Sequence, residues 1–292
     1  MKLLVIGGSG QVGRALVSSA PAAITIVAPS RAECDLTRPE TLVRALEHRP
    51  DLVVNAAAFT SVDAAEDDPA SAFAVNRDGP AALARLCRAC AIPLLHLSTD
   101  YVFDGNKQGA YAESDAPCPL NVYGRSKLEG EDAVRAAQPY HVILRTSWIF
   151  APHGNNFVRA ILARASRGER LRVVADQRGC PTPASAIAGA ILSIARRIDA
   201  AGAVPWGIYH FAGREAVSWF EFAKAILGAA RPWLPEVPVE AIASGDYPAR
   251  AKRPRNSELD CSLIARNFGI SAASWSDELA AAVAGLLPIA RR

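Results

Sequence analysis

A tyrosine and a lysine stand four residues apart, at Tyr123 and Lys127, in a segment whose pattern predicts a helix. Four residues make about one helical turn, so both side chains lie on the same face. An unperturbed phenol loses its proton near pH ~10, and a neighbouring ammonium lowers that pKa by stabilising the phenolate. The pair can therefore exchange a proton with a carbonyl oxygen. The same spacing is common among solvated helix residues, so its meaning depends on what surrounds it.

A hydroxyl residue, Thr99, follows the buried run that precedes this helix. A hydroxyl at the carboxyl end of a strand can hydrogen-bond a substrate carbonyl and polarise it. The alternative is an ordinary Ser/Thr turn. Beside the Tyr–Lys pair the catalytic interpretation is favoured, so we predict Thr99, Tyr123 and Lys127 as the catalytic residues. Lys127 is also expected to hydrogen-bond a nicotinamide ribose.

A glycine-rich turn follows the first predicted strand and opens the first helix. Its glycines are Gly7, Gly10 and Gly13, and Gln11 and Val12 lie between them. Such spacing allows a tight turn, a close backbone approach to a pyrophosphate, and close packing of helix on strand. The amino end of the helix directs its N–H groups at the phosphates. In this strand–turn–helix context the motif predicts a bound dinucleotide.

The end of the second predicted strand bears on the choice of cofactor. Dinucleotide folds that bind NAD often carry an acidic residue there for the ribose 2′-hydroxyl. This chain has Ser30 and Arg31 instead, with no carboxylate before Glu33. A guanidinium suits a 2′-phosphate, which favours NADPH, with NADH also possible. Asp35 and Leu36 are expected near the adenine edge, and a surface role for Arg31 is the alternative.

The elements that must position these residues alternate along the first half of the chain. Unbroken apolar runs predict strands buried on both faces at Lys2–Ile6, Ile24–Ala28, Asp51–Asn55, Leu94–Ser98 and His141–Thr146. Helical patterns lie between them at Gln11–Ala20, Pro39–Glu47, Pro69–Cys90 and Tyr123–Ala137. We therefore predict an α/β fold, a Rossmann doubly wound parallel sheet with a smaller α/β C-terminal substrate lobe.

The second half is less regular. Helices are predicted at Asn156–Arg167, Ala184–Asp199, Ser218–Leu227, Ser262–Phe268 and Ser276–Leu286, and strands at Leu171–Ala175 and Ile208–Phe211. Prolines from 232 to 254 mark a loop-rich stretch. We divide the chain into a cofactor domain, 1–148, and a mainly substrate-binding lobe, 149–292. Residues 171–175, 184–199 and 208–211 are candidates for returning to the first domain.

Composition excludes several classes of function. Thirty-two Lys and Arg against 29 Asp and Glu leave a net charge of +3, which does not indicate a nucleic-acid protein. No apolar run approaches the roughly 18 residues of a membrane span. Six cysteines in a chain of this length predict no disulfide framework, and the C-x-x-C pair Cys87 and Cys90 is expected to be two helix thiols. We predict a cytoplasmic protein.

Longer motifs resemble the extended short-chain dehydrogenases/reductases, and within them the dTDP-4-dehydrorhamnose reductase family. The motifs are NAAAFTSVD (Asn55–Asp63), STDYVFDG (Ser98–Gly105), PLNVYGRSK (Pro119–Lys127), RTSWIF (Arg145–Phe150), GNNF (Gly154–Phe157) and DQRGCPT (Asp176–Thr182). The resemblance runs nearly from end to end, as far as Arg253–Ser257 and Leu259-Asp260. Each motif is weak by itself, and the combination is specific.

This resemblance implies reduction of the C4 carbonyl of dTDP-4-dehydro-6-deoxy-L-mannose to dTDP-L-rhamnose, the last step of dTDP-rhamnose biosynthesis. It implies that Tyr123 protonates the carbonyl oxygen, that Thr99 binds it, and that Lys127 tunes Tyr123. Further cofactor contacts match Gly10, Gln11, Val12, Ala57, Ala58 and Thr60. The sugar pocket matches Thr99, Asp100, Val102 and Trp148, where an indole can pack on the deoxyhexose unless it is ordinary core.

Some members of this family hold Mg²⁺ with glutamates at a dimer interface, one of them early in the first helix. Here that helix begins Gly13-Arg14-Ala15-Leu16, without a carboxylate. We therefore predict no metal, and a monomer or weak homodimer. Four cations lie within six residues, at Arg250, Lys252, Arg253 and Arg255. They are expected near the diphosphate of a nucleotide-sugar substrate, with a solvated loop as the alternative.

Two rival functions remain open. The first is another nucleotide-sugar epimerase, dehydratase or reductase of the same superfamily; the epimerases and dehydratases would retain the cofactor rather than consume it. The second is a non-catalytic regulatory subunit on this fold, as in relatives that partner methionine adenosyltransferase. The complete set of Thr99, Tyr123 and Lys127 favours an enzyme, because a binding module does not need it.

Overall fold

The computed structural model describes residues 1–200, 203–272 and 274–287. Twelve strands occur in the described ranges: β1 (Lys2–Ile6), β2 (Thr25–Val27), β3 (Leu52–Asn55), β4 (Leu94–Thr99), β5 (His141–Thr146), β6 (Ile149–Phe150), β7 (Leu171–Val174), β8 (Arg178–Gly179), β9 (Thr182–Pro183), β10 (Gly207–His210), β11 (Val217–Ser218) and β12 (Val239–Ile242). Six of them form one parallel sheet in the order β10-β5-β4-β3-β1-β2. The predicted doubly wound parallel sheet is confirmed.

Eleven α-helices accompany the strands in those ranges: α1 (Gln11–Ser19), α2 (Pro39–Leu46), α3 (Val62–Asp67), α4 (Pro69–Phe73), α5 (Gly79–Ala89), α6 (Val122–Ala137), α7 (Phe157–Ala165), α8 (Ala184–Asp199), α9 (Trp219–Ala230), α10 (Ser262–Phe268) and α11 (Trp275–Leu286). None of the described helices is both long and apolar enough to cross a membrane.

The central strands are apolar without alternation because helices cover both faces of the sheet. Every residue of β3, β4 and β5 is buried. One apolar core lies where α1 and α8 pack on the sheet, and a second lies on the opposite face against α2 and α5. The register places Thr99, the last residue of β4, beside Thr146 at the end of β5. Polar side chains therefore meet at the carboxyl edge of the sheet.

The second half contributes elements both to this sheet and to a separate core. Strand β10 pairs with β5 at the sheet edge, and α8 packs on α1. In contrast, β7 pairs with β12 in a small sheet, and α7, α9 and α11 enclose a core of their own. The second half thus forms a separate core and also adds one strand and one helix to the six-stranded sheet.

Most predicted elements are present within one to three residues of the expected ends. The predicted helix Pro69–Cys90, however, is interrupted by a π-helical turn at Ala74–Asp78. This wider turn carries Asn76 into the interior, where its amide bonds the backbone of Phe59 and the hydroxyl of Ser126. The π-helical turn is stabilised by hydrogen bonds from Asn76 to residues distant in the sequence, and local hydrophobic periodicity cannot predict such a turn.

Candidate active site

Tyr123 lies in the first turn of α6, and Asn121 fixes where that helix begins. The Asn121 side chain accepts a 2.7 Å hydrogen bond from the backbone N–H of Gly124, capping the helix. A Cβ at Gly124 would lie 2.2 Å from the carbonyl oxygen of Tyr101, so only glycine allows this close approach. The helix start is therefore held against the segment that follows β4.

This packing brings Tyr123 to Thr99, as predicted from their positions in the sequence. The phenol lies close to the Thr99 hydroxyl. The Thr99 hydroxyl in turn donates a 3.1 Å bond to Oδ1 of Asp100 and accepts one from the backbone N–H of Tyr101. The ring of Tyr101 also meets the Tyr123 ring edge-on, with 5.9 Å between centroids. Tyr123 is thus held in one orientation at the sheet edge.

Lys127 lies deeper than the tyrosine. Its Nζ donates a 2.7 Å bond to the carbonyl oxygen of Leu97 and lies 3.5 Å from Nε2 of His96. Burial lowers the pKa of Lys127 to about 8, although the nearby Glu131 carboxylate opposes that shift.

The expected lowering of the Tyr123 pKa by Lys127 does not occur in this structure. Burial raises the pKa of Tyr123 to about 12, the nearby Thr99 hydroxyl opposes that rise, and Asp100 adds to it. Since the Lys127 ammonium is directed at the Leu97 carbonyl, it does not act on the phenol here. Spacing places the two residues on one helix face, but side-chain direction decides which partner the ammonium meets.

Behind the lysine, two further buried side chains connect it to the loop after β3. The Asn55 amide lies 3.0 Å from Nδ1 of His96, and its oxygen accepts from the N–H of Ala57. Because the amide oxygen is taken by Ala57, the amide nitrogen donates to His96. Burial keeps the pKa of His96 well below its ordinary value, so the ring is neutral at pH ~7.

The glycine-rich turn has the geometry that a dinucleotide requires. Gly7 has φ of 86°, and a Cβ there would lie 2.7 Å from the backbone nitrogen of Ala57. The first turn of α1 carries no acidic residue, and no side chain of the described chain caps it. Backbone N–H groups at this helix start are therefore available to an anion. Val12 points into the core, while Gly10 and Gln11 stay at the turn.

The other predicted cofactor residues lie around this turn. Ala57 and Ala58 follow β3 and are half-buried, and Thr60 is exposed. Ser30 and Arg31 are exposed beyond the end of β2. Ser30 bonds Glu33, and Arg31 contacts Asp35 at 3.3 Å.

Leu36 differs from the other predicted cofactor residues. Its side chain is buried in the core beside Gly79 rather than presented at the surface.

A segment from the second half closes against the same turn. Asn156 donates a 2.9 Å bond to the side-chain oxygen of Gln11, and His153 contacts the Gln11 backbone oxygen. Gln11 is therefore engaged by the GNNF segment on one side of the predicted cofactor position.

The residues predicted for the sugar pocket occupy three different environments. Asp100 is buried and bonded to Thr99. Val102 is fully buried in a cluster with Phe103 and Cys180. Trp148 has φ of 44°, and Trp219 stacks on its indole with 3.4 Å between ring centroids. One face of the indole is therefore already covered by another aromatic ring.

A cleft of about 780 Å³ opens beside these residues. Its lining is strongly basic and includes Arg164, Arg172, Arg250, Lys252, Arg253 and Arg255, together with Phe157, Trp219 and Tyr247. Arg253 of this cleft lies near Tyr101, whose ring meets that of Tyr123, and forms a 2.7 Å ion pair with Asp63. Arg250 pairs with Asp67. The four clustered cations thus line this cavity, and Arg250, Lys252 and Arg255 are also exposed.

Several residues of this site were not identified from sequence. Trp219 lies 71 positions after Trp148, and no local pattern joins them. Asp63 lies in the NAAAFTSVD motif, but its role depends on a hydrogen bond from Arg253, which is distant in the sequence. Glu131 could have been found, because it lies one helical turn beyond Lys127.

The described residues contain no cluster of three or more His, Cys, Asp or Glu side chains that could hold a metal ion. Both Cys87 and Cys90 are free thiols, as are the other four cysteines.

Comparison with known proteins gives the family. The family model described as RmlD substrate binding domain matches residues 1–287. A dTDP-4-dehydrorhamnose reductase of Sinorhizobium fredii is 43% identical over 290 residues, which cover 98% of each chain. A solved structure of the Clostridium acetobutylicum dTDP-4-dehydrorhamnose reductase superimposes with a TM-score of 0.90, at 29% identity, covering 97% of this chain and 99% of that one.

A Bacillus anthracis dTDP-4-dehydrorhamnose reductase, solved in complex with NADP, superimposes with a TM-score of 0.88 at 30% identity, covering 95% of this chain and 96% of that one. The residues predicted to be catalytic, the glycine turn and the basic cleft described above all fall within the matched region. The chain therefore belongs to the dTDP-4-dehydrorhamnose reductase family.

Proposed function

We propose that this protein reduces the C4 carbonyl of dTDP-4-dehydro-6-deoxy-L-mannose with NADPH, producing dTDP-L-rhamnose. The observation that carries the proposal is the placement of the Tyr123 phenol close to the Thr99 hydroxyl at the carboxyl edge of the sheet, in a chain that also forms an arginine-lined cleft. Family membership supports the same substrate and reaction.

The glycine turn suits the cofactor, since its backbone approaches closely and the start of α1 presents N–H groups to a pyrophosphate. Bound NADPH supplies a hydride to the substrate. Gly7, Gly10, Gln11, Val12 and Gly13 would hold the pyrophosphate end, with Ala57, Ala58 and Thr60 beside it. Exposed Ser30 and Arg31 would meet the 2′-phosphate, and Asp35 would lie near the adenosine.

The protein's own residues donate the proton and orient the oxygen that receives it. With its pKa raised, Tyr123 stays protonated at neutral pH and is ready to donate to a developing alkoxide. The Thr99 hydroxyl, fixed by the Tyr101 N–H, binds the same oxygen and orients it. Lys127 would exchange its bond with Leu97 for the cofactor ribose, bringing a positive charge nearer the phenol.

The cleft provides for the nucleotide diphosphate. Cations in a confined cavity attract phosphate oxygens, and guanidinium groups match them bidentately. Arg253 and Arg250 are held by Asp63 and Asp67, which positions the basic segment over the cleft. Trp148, with Asp100 and Val102, would border the deoxyhexose. We expect a monomer or weak homodimer and no metal requirement.

An assay with purified protein, NADPH and the dTDP-linked 4-keto sugar tests this function. We expect stoichiometric loss of absorbance at ~340 nm and formation of dTDP-L-rhamnose. An epimerase or dehydratase would bind the cofactor without consuming it, and a regulatory subunit would show no turnover. Either result would overturn the proposal.

A further inference from the structure

One carboxyl group in the site has no charged partner. Asp100 is 3% exposed, and its Oδ2 is one of two buried side-chain atoms in the described chain without a hydrogen-bond partner. Its other oxygen is bonded by the Thr99 hydroxyl, and Ser257 also contacts the carboxyl. The titratable groups that face it from the described elements are Tyr101, Tyr123 and Cys180, none of which is cationic at neutral pH.

A carboxylate in such a position is costly. Burying an unpaired negative charge is strongly unfavourable, so the group retains its proton instead. Burial raises the pKa of Asp100 to about 7, while the nearby Ser257 hydroxyl and the hydrogen bond from Thr99 oppose the shift. At the pH of a cell a large fraction of Asp100 is therefore a neutral acid with a proton to give.

The structure also provides a path for that proton. Asp100 meets the Thr99 hydroxyl, and the Thr99 hydroxyl meets the Tyr123 phenol. A hydroxyl can both accept and donate, and its hydrogen rotates to suit. Lys127 lies on another side, bonded to the Leu97 carbonyl. The Thr99 hydroxyl thus lies between the Asp100 carboxyl, to which it is hydrogen-bonded, and the phenol proposed to protonate the substrate.

We propose that Asp100 is a proton reservoir that, through the Thr99 hydroxyl, restores the proton of Tyr123 after each reduction. This inference rests on the function proposed above. When hydride reaches C4, the Tyr123 O–H bond breaks and the sugar O–H bond forms, leaving a phenolate. The Thr99 hydroxyl then gives its proton to the phenolate and receives one from Asp100. The Asp100 carboxylate takes up a proton that comes ultimately from solvent before the next turnover.

The near-isosteric variant Asp100→Asn tests the relay, because an amide keeps the Thr99 contact and has no acidic proton. Rapid mixing with NADPH and the keto sugar should show one fast NADPH oxidation per enzyme, since Tyr123 begins protonated. Steady-state turnover should then fall at least about tenfold, with KM for the sugar within ~threefold of wild type. The matched control Asp132→Asn, on the exposed part of α6, should behave as wild type.

Wild-type enzyme provides a second measurement that does not depend on the variant folding. Its steady-state kcat should fall as pH rises through about 7, because the ionised Asp100 has no proton to pass on. The rate of the first turnover should not change over that range. Equal effects of Asp100→Asn on first and later turnovers, or a first turnover with the same pH dependence, would overturn the relay. Wild-type enzyme that never oxidises NADPH would instead overturn the proposed function and the relay together.

Discussion

Glu131 and Arg145 form a fully buried ion pair, with 2.6 Å between Oε2 and Nη2 and side-chain exposures of 1% and 2%. The pair joins α6, which carries Tyr123 and Lys127, to the central strand β5. The Ser98 hydroxyl also donates to the same carboxylate, and the Arg145 guanidinium lies over the ring of Phe103. These contacts fix the position of α6 relative to the sheet.

Removing one member of this pair should destabilise the protein strongly. We expect Arg145→Met to lower the free energy of unfolding by about 3–5 kcal/mol, since it leaves the Glu131 charge buried and unpaired. Urea denaturation measures the change. The exposed pair of Arg135 and Asp132 on the same helix is the control, and Arg135→Met should cost under ~1 kcal/mol. Similar costs for both variants would show that the buried pair does not hold the helix.

The buried lysine should make stability depend on pH. Because the folded pKa of Lys127 is about 8 and an unfolded lysine titrates at 10.5, the unfolded state binds more protons between those values. The cofactor-free wild type should therefore gain stability relative to Lys127→Met as pH rises from about 8 to about 10.5, by up to ~3 kcal/mol. Urea unfolding of both proteins across this range measures the gain. A constant difference between them would contradict a depressed lysine pKa.

Cofactor preference should depend on Arg31. Loss of one charge-assisted contact with a phosphate in an exposed position weakens binding by about 1.5 kcal/mol, which is roughly tenfold. We expect Arg31→Ala to raise the Kd of NADPH by that factor and to leave the Kd of NADH unchanged, as measured by fluorescence titration. Arg197→Ala, in the last turn of α8, is the matched control. Equal weakening of both cofactors by Arg31→Ala would remove this residue from the 2′-phosphate site.

Apolar runs were sufficient to predict the parallel sheet and the alternation of helices and strands along the first half of the chain, because β3, β4 and β5 are buried in every residue. Thr99 and Tyr123 both lie at element ends, and the parallel topology brings these ends to one edge of the sheet. Strand β12 was predicted as part of a loop-rich stretch, because only its pairing with β7 makes Val239–Ile242 regular. Prolines on either side of β12 are typical of a loop, so the sequence pattern did not predict a strand there.

The direction of buried side chains could not be obtained from sequence. Lys127 was expected to act on Tyr123, whereas the carbonyl of Leu97 receives its ammonium in this structure. The stacking of Trp148 on Trp219 and the Glu131–Arg145 pair join residues on different elements. Such contacts depend on packing between elements, on which local spacing carries no information.

The proton donated by Tyr123 is the centre of the proposed reaction. Replacing this residue by phenylalanine removes one hydroxyl and keeps the aromatic ring against Tyr101. The most direct measurement is the kcat of Tyr123→Phe for NADPH oxidation with the dTDP-linked 4-keto sugar, together with the Kd of NADPH. We predict a loss in kcat of at least about a hundredfold with NADPH affinity within ~threefold of wild type. A kcat near that of the wild type would contradict the account.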